Sequence, residues 1–211
     1  MHAVLLDALG TLVELEPPWE HFGTAGDERA REAFKAEMAY YRQHSLEGRD
    51  DASLADLRRR CAAVLSEGLG REVGVPEMMA AIRFRAFDDA APALRELRAR
   101  GLRLVCLSNW DYSLPEVLGR VGLLGLLDGV VTSAGVGVAK PAAGIFGAAL
   151  ELAGCDASEA LHVGDSSEED IAGAASAGIR ALLLDRSGGG DIASLAEIPA
   201  VAGGSVTMPA S

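Results

Sequence analysis

Five short apolar runs constrain what this chain can fold into more than any other feature of its sequence. They lie at residues 3–6, 102–107, 129–133, 160–164 and 180–185. Each run is almost continuously apolar and ends in small or polar residues, as strands do when both faces of a parallel sheet are covered. Helical patterns flank the later runs, at 91–101, 141–154 and 169–178. This alternation predicts an α/β fold built on a doubly wound parallel sheet.

The segment from residue 15 to residue 88 departs from this alternation, because it carries two or three helical patterns with no strand between them. Asp27 and Ser53 precede two of these patterns and are predicted to cap the N-termini of the helices. We therefore expect a small all-helical insertion at 15–88, placed after the first strand. The core domain then comprises residues 1–14 and 89–211.

Composition and net charge limit the classes of molecule that the protein is expected to bind. A chain of 211 residues with 49% hydrophobic and 24% charged residues has the profile of an ordinary globular protein. Its 31 acidic and 19 basic residues give a formal net charge of −12, which repels a phosphate backbone or an anionic membrane over most of the surface. We expect a small-molecule substrate and neither nucleic acid nor membrane as partner. The sequence leaves the choice between monomer and homodimer open.

Cysteine and histidine placement indicates neither a disulfide framework nor a zinc site. Cys61, Cys106 and Cys155 are odd in number and far apart, and the four histidines show no metal-ligand spacing. A histidine-based mechanism is therefore not predicted. No apolar run reaches the length of a membrane span, and Asp7 interrupts the stretch that a signal peptide would need. These patterns predict a cytoplasmic location.

Polar residues whose side chains could take part in catalysis or binding follow the apolar runs. They are Asp7 after the first run, Ser108 and Asn109 after the second, Lys140 after the third and Asp165 after the fourth. The ligand site of an open parallel sheet lies outside the carboxyl ends of its strands, so we expect these side chains to converge.

This set suits phosphoryl transfer to an aspartate. A carboxylate can form an aspartyl-phosphate intermediate, a hydroxyl and an amide can hold phosphoryl oxygens, and a lysine supplies a compact positive charge. Asp165 and Asp170, in "GDSSEED", add oxygen ligands that together with Asp7 could hold Mg²⁺. Without such an ion, the attacking carboxylate and the incoming phosphate would repel each other.

Four segments of the core resemble the motifs of the haloacid dehalogenase superfamily, in the order of that superfamily. They are "LLDALGTL", "VCLSN", "AKPAAGIF" and "HVGDSSEEDIAGAASAG". The insertion between the first and second motifs is similar to the helical cap of the first cap class of that superfamily. The resemblance covers essentially the whole core and implies a Rossmann-like fold with hydrolase activity.

The resemblance also implies roles for individual residues. Asp7 is then the nucleophile, and Lys140 neutralises the transferred group. Positioning of that group falls to Thr11, Ser108 and Asn109. The Mg²⁺ ligands are Asp7, Asp165 and Asp170.

Leu9 is the departure from the pattern of the family. Phosphatases of this family usually carry a second Asp there, which protonates the leaving oxygen and then activates water. Losing such a group typically costs about 10²–10⁴-fold in rate. The main-chain carbonyl at position 9 could still bind a metal. We expect a Mg²⁺-dependent hydrolase of a small phosphorylated metabolite that favours leaving groups needing little protonation, such as aryl or acyl phosphates. Asp111 is a candidate replacement acid.

Two alternatives stay open. The dehalogenase branch of the superfamily also lacks that Asp, having an aromatic residue there, and is expected to work without a metal; Arg42 could then bind a carboxylate or halide. That alternative has no evident use for the acids of "GDSSEED". The other alternative is a non-catalytic protein that keeps the phosphate pocket but has lost turnover at position 9.

Overall fold

A five-stranded parallel sheet forms the centre of the computed structural model, which describes residues 1–22 and 27–203. The strands are β1 (Ala3–Leu6), β2 (Val13–Leu15), β3 (Phe84–Ala86), β4 (Arg103–Ser108), β5 (Gly129–Thr132), β6 (Ala160–Gly164) and β7 (Arg180–Leu183). The sheet has the order β5-β4-β1-β6-β7, and every neighbouring pair in it is parallel. The predicted α/β fold with a parallel sheet is confirmed.

Helices cover both faces of this sheet. The α-helices are α1 (Glu28–His44), α2 (Asp51–Leu69), α3 (Val75–Ala81), α4 (Ala90–Ala99), α5 (Leu114–Arg120), α6 (Ser133–Val136), α7 (Ala143–Ala153), α8 (Gly173–Ser176) and α9 (Ile198–Gly203). Val4 and Leu6 of β1 belong to the same apolar cluster as Leu94 of α4. The alternate residue Leu5 belongs to a second cluster, with Phe146 of α7. Burial on both sides explains why the strands are continuously apolar.

The strand order places a switch point at β1. Leu6 of β1 pairs with Cys106 of β4 on one side and with Val163 of β6 on the other. The chain therefore leaves the carboxyl ends of these three neighbouring strands at the same edge of the sheet. Open α/β sheets bind ligands in the crevice at such a point.

A helical unit, residues 28–81, stands between β2 and β3. Val13 of β2 pairs with Ala86 of β3 in an antiparallel ladder, which joins the unit to the sheet domain. The unit has its own apolar cluster, including Phe34 of α1, Leu57 of α2 and Met78 of α3. The division into a core at 1–14 and 89–211 and an insertion at 15–88 stays a prediction, and residues 204–211 lie outside the described part.

The N-terminal caps of α1 and α2 test the sequence patterns locally. The Asp27 carboxylate accepts the main-chain N–H groups of Arg29 and Ala30, so the predicted cap of α1 is confirmed. The prediction of Ser53 as the cap of α2 was wrong. Asp50 caps that helix, and Ser53 lies three residues later, where its hydroxyl accepts the Asp50 N–H in a capping box.

No helix among residues 1–22 and 27–203 has both the length and the apolar character needed to cross a lipid bilayer.

Candidate active site

Asp7 directly follows β1 and is buried at the carboxyl edge of the sheet. The Ser108 hydroxyl, at the end of β4, donates a hydrogen bond to Asp7 Oδ1 at 2.9 Å. Burial raises the pKa of Asp7, and the negative charge of Asp170 adds to this effect while Lys140 opposes it. The side chain is thus a desolvated carboxylate that depends on nearby cations for its charge.

Lys140 is the cation that joins two of the carboxylates. Its Nζ donates to Asp7 Oδ1 at 2.5 Å and to Asp170 Oδ1 at 2.6 Å, and the side chain is 2% exposed. Burial alone would lower the pKa of Lys140, but the charges of Asp7 and Asp170 outweigh it and raise that pKa above its ordinary value. Lys140 is therefore a fully charged, buried ammonium group.

Asp170 is held by three donors. Besides Lys140, the ring of His162 donates from Nε2 to Asp170 Oδ1 at 2.9 Å, and the Ser166 N–H donates to Oδ2 at 3.0 Å. Burial would raise the pKa of Asp170, but the His162 hydrogen bond and the Lys140 charge hold it well below its usual value. His162, in β6, is a site residue that the sequence analysis missed, because a lone histidine in a buried strand gives no spacing signal.

Asp165 completes a group of three carboxylates. One oxygen each of Asp7, Asp165 and Asp170 lies within 4.8 Å of the others. Burial and the negative charges of Asp7 and Asp170 raise the pKa of Asp165 to about 6. Three carboxylates face a single lysine here, and hard oxygen donors of this kind are the ligands that Mg²⁺ prefers. The donor set and the excess of negative charge fit a divalent cation.

Two glycines allow the carboxylates to approach the backbone. A Cβ at Gly10 would lie 2.1 Å from Oδ2 of Asp165, and Gly10 also has a φ of +88°. A Cβ at Gly164 would lie 2.1 Å from Cγ of Asp170. Any side chain at either position would displace a member of the acidic group, which explains the glycines in "ALGTL" and "HVGDS".

Asn109 acts on the main chain of Lys140. Its Oδ1 accepts the Lys140 N–H at 2.7 Å, and its Nδ2 donates to the Lys140 carbonyl and to Glu169, both at 3.1 Å. The amide therefore fixes the loop that delivers the lysine. The sequence pattern gave no indication of this contact, because the two residues are 31 positions apart.

A polar cavity of about 600 Å³ opens over these groups. Of the seven residues predicted for the site, six line it: Asp7, Ser108, Asn109, Lys140, Asp165 and Asp170. Thr11 is fully buried outside this lining, and its hydroxyl has no hydrogen-bond partner among the described residues. The structure thus brings together every predicted residue except Thr11.

Leu9 lies where the polar cavity meets a second, apolar cavity of about 140 Å³ between the helical unit and the sheet domain. The apolar walls of this second cavity include Met38, Met78, Met79, Ile82, Phe84 and Trp110. Asp111, the candidate replacement acid, lines the apolar cavity and not the polar one. Its carboxylate accepts the Tyr41 hydroxyl at 2.8 Å and the Ser113 N–H at 2.7 Å, so the structure does not place it as a proton donor to the acidic group.

Sequence comparison relates this chain to hydrolases. The family model described as haloacid dehalogenase-like hydrolase matches residues 1–178. The chain is 41% identical over 101 residues to the human haloacid dehalogenase-like hydrolase domain-containing protein 3, covering 48% of this chain and 40% of that protein. It is 33% identical over 174 residues to a phosphoserine phosphatase of Thermus thermophilus, covering 82% of this chain and 64% of that enzyme. The chain spans about half the length of the first curated relatives that it matches.

Structural comparison gives the same fold. The L-2-haloacid dehalogenase of Xanthobacter autotrophicus superposes with a TM-score of 0.75 and 22% identity, covering 98% of this chain and all of that chain. At this identity the likeness concerns the fold alone.

Proposed function

The chain belongs to the haloacid dehalogenase-like hydrolase family, and on that basis we propose that it is a Mg²⁺-dependent phosphatase that transfers a phosphoryl group to Asp7. The observation that carries the proposal is the buried Asp7 carboxylate, held by Lys140 and Ser108 at the base of the polar cavity. The phosphoserine phosphatase of Thermus thermophilus, 33% identical over 82% of this chain, supports the choice of phosphate as the transferred group.

The hydrogen bonds of Asp7 favour one of its two oxygens as the attacking atom. Ser108 and Lys140 both donate to Oδ1, which orients the carboxylate and leaves Oδ2 for the phosphorus. In the first step a bond forms between Oδ2 and phosphorus, and the bond from phosphorus to the ester oxygen breaks, with its electron pair leaving on that oxygen. Water then attacks the aspartyl phosphate, which releases inorganic phosphate and restores the Asp7 carboxylate.

The positive charge of the site would come from Lys140 and from a metal ion held by the three carboxylates. Lys140 spends two of its three N–H donors on Asp7 and Asp170, so one remains for a phosphoryl oxygen. Asp7, Asp165 and Asp170 would hold Mg²⁺, which when bound supplies the positive charge that lets an anionic nucleophile meet an anionic phosphate. Asn109 contributes by fixing the main chain of Lys140.

Leu9 determines which phosphates react fast. Its side chain cannot protonate the departing oxygen, and Asp111, already bonded to Tyr41 and Ser113, is not placed to replace it. The proton must then come from solvent, so leaving groups that are stable as anions are favoured. We propose aryl and acyl phosphates as the better substrates, and the helical unit at 28–81 as the cap that encloses them.

A series of substrates with increasing leaving-group pKa tests this proposal. We expect kcat/KM to fall steeply along the series, with alkyl phosphates about 10²–10⁴-fold slower than aryl phosphates. The assay is release of inorganic phosphate in the presence of Mg²⁺. A flat series would show that a general acid operates despite Leu9.

Arg42 supports a second candidate, dehalogenation of a small haloacid. Arg42 lines both cavities, as Leu9 does, and in this candidate its guanidinium binds a carboxylate or a halide. Halide release from chloroacetate in the presence of a chelator, abolished by Asp7→Asn, would establish this candidate and replace the phosphatase proposal. Stabilisation by phosphate without any product would instead indicate a binding protein.

A further inference from the structure

The apolar cavity is built jointly by the helical unit and the sheet domain. Met38 comes from α1, Met78 and Met79 come from α3, and Phe84 and Trp110 come from the sheet side. Met38, Met79 and Trp110 lie far apart in the sequence, and they line one cavity because the helical unit packs against the sheet domain. Methionine side chains adapt to the shape of an apolar occupant more easily than branched side chains do.

The size of this cavity matches one six-membered ring. Its volume is about 140 Å³, and an apolar cavity of roughly 150 Å³ in another protein stays dry and binds benzene. A single phosphoryl group has no use for such walls, because its charged oxygens would lose their hydration there. An uncharged ring would gain free energy from the same walls.

Some of the polar groups in the wall of the apolar cavity are engaged within the protein. The Tyr41 hydroxyl and the Ser113 N–H both donate to Asp111, and burial raises the pKa of Tyr41 well above its usual value. Glu37 is buried, with the Cys61 thiol as a hydrogen-bond partner, and burial raises the pKa of this carboxyl group. Three arginines also line the cavity: Arg42, Arg58 and Arg120. The selection inferred here therefore rests on the apolar walls and the volume of the cavity and not on an absence of charge.

Leu9 connects this cavity to the phosphoryl site. Six residues line both cavities: Leu9, Leu15, Pro18, Met38, Arg42 and Asn109. Asp7 and Leu9 both line the polar cavity and Leu9 also lines the apolar one, so the apolar cavity adjoins the cavity that contains Asp7. Leu9, which stands in place of the usual general acid, thus provides the apolar surface between the two cavities.

We propose that the apolar cavity binds the leaving group of the substrate, and that the enzyme selects monophosphates whose leaving group carries one six-membered apolar ring. This inference rests on the proposed phosphatase function. It goes further by assigning the choice of substrate to binding in a defined cavity, independently of leaving-group reactivity.

Benzoyl phosphate and acetyl phosphate form a matched pair for the test. Both leave as carboxylates, so the absence of a general acid at Leu9 affects them alike, whereas only benzoyl phosphate carries a ring. We expect kcat/KM for benzoyl phosphate to exceed that for acetyl phosphate by about tenfold or more, mainly through KM.

Met79→Trp fills the apolar cavity, and Ala80→Trp adds the same bulk to the adjacent exposed position of α3, outside the cavity lining. We expect Met79→Trp to reduce the preference for benzoyl phosphate to within about twofold of acetyl phosphate, and Ala80→Trp to keep it. The rate with acetyl phosphate serves as the check that Met79→Trp still folds.

The outcomes separate this inference from the function on which it rests. Equal KM values for the two substrates in the native chain, with Asp7-dependent turnover of both, would overturn the ring selection and leave the phosphatase proposal standing. A preference for benzoyl phosphate that survives Met79→Trp would also overturn it. Absence of turnover for both substrates would overturn the phosphatase proposal itself.

Discussion

The polar and apolar cavities meet at Leu9 but differ in composition, size and origin. The polar cavity is lined by five acidic side chains and a buried lysine, and two of these groups, Asp7 and Asp165, directly follow strands of the sheet. The apolar cavity is about a quarter of its volume and takes much of its wall from the helical unit. The two proposals together assign chemistry and substrate choice to two different parts of the molecule, which variants can alter separately.

Lys140→Met should have the largest effect of the variants considered, and this effect should be confined to the polar cavity. It leaves the buried Asp7 and Asp170 carboxylates without their cation. We expect turnover to fall by about 10³-fold and the free energy of unfolding without metal to fall by about 3 kcal/mol. Urea denaturation in chelator and phosphate release measure the two effects.

Lys35→Met is the matched control, because Lys35 pairs with Glu32 at 2.6 Å on an exposed helix surface. Solvent screens such an exposed pair, so it contributes little to stability. If the two variants lost the same stability, the buried ion pairs of Lys140 would not hold the polar cavity together.

Leu9→Asp should have opposite effects at the two cavities: a faster reaction at the polar cavity and weaker ring selection at the apolar cavity. A carboxyl group at this position can protonate the leaving oxygen, so we expect alkyl phosphates to be hydrolysed about 10²-fold faster. The same change removes an apolar side chain from the entrance to the apolar cavity, so the preference for benzoyl phosphate should shrink.

Leu9→Asn separates the two effects, because an asparagine side chain is similar to an aspartate side chain in size and polarity but transfers no proton. It should lose the preference for the ring without gaining rate on alkyl phosphates. Equal gains from both variants would show that polarity at position 9, and not proton transfer, limits the native enzyme.

Gly10→Ala should weaken Mg²⁺ binding by about tenfold and leave the apolar cavity intact. The added Cβ would collide with Asp165 and displace one carboxylate of the acidic group. Gly122→Ala is the control, because Gly122 has a similar φ of +77° with nothing within 4 Å of an added Cβ. Calorimetric titration with Mg²⁺ should find the native affinity in the control, and a matching loss in both variants would assign the effect to backbone strain.

Asp165→Asn should have the smallest effect, a gain in stability of the metal-free protein. Its carboxylate faces the like charges of Asp7 and Asp170, which contribute to its raised pKa, so removing one charge relieves repulsion. We expect the melting temperature in chelator to rise by about 2 °C, and Mg²⁺ to stabilise the variant less than the native chain. A lower melting temperature in chelator would mean that the carboxylate stabilises the site without a metal.

Sequence patterns could predict the polar cavity because topology places its residues. Asp7, Ser108 and Asp165 each follow an apolar run, and parallel strands bring their carboxyl ends to one edge whatever the details of packing. His162 escaped prediction, since its hydrogen bond to Asp170 depends on side-chain orientation within a buried strand. Thr11 was predicted from motif resemblance alone, and the structure buries it outside the lining of the polar cavity.

The apolar cavity could not be predicted in the same way. Met38, Met79 and Trp110 belong to three separate segments, and their meeting depends on how the helical unit is oriented against the sheet. Hydrophobic periodicity identifies the buried face of each helix but gives neither the angle between helices nor the gaps that remain between them.

Phosphate release from 4-nitrophenyl phosphate tests the central claim most directly. It is measured for the native chain and for Asp7→Asn, each with Mg²⁺ and with chelator. We predict turnover only for the native chain with Mg²⁺, and a rate at least about 10³-fold lower for Asp7→Asn. Turnover by Asp7→Asn at the native rate, or native turnover unaffected by chelator, would contradict the assignment of Asp7 as the nucleophile of a Mg²⁺-dependent phosphatase.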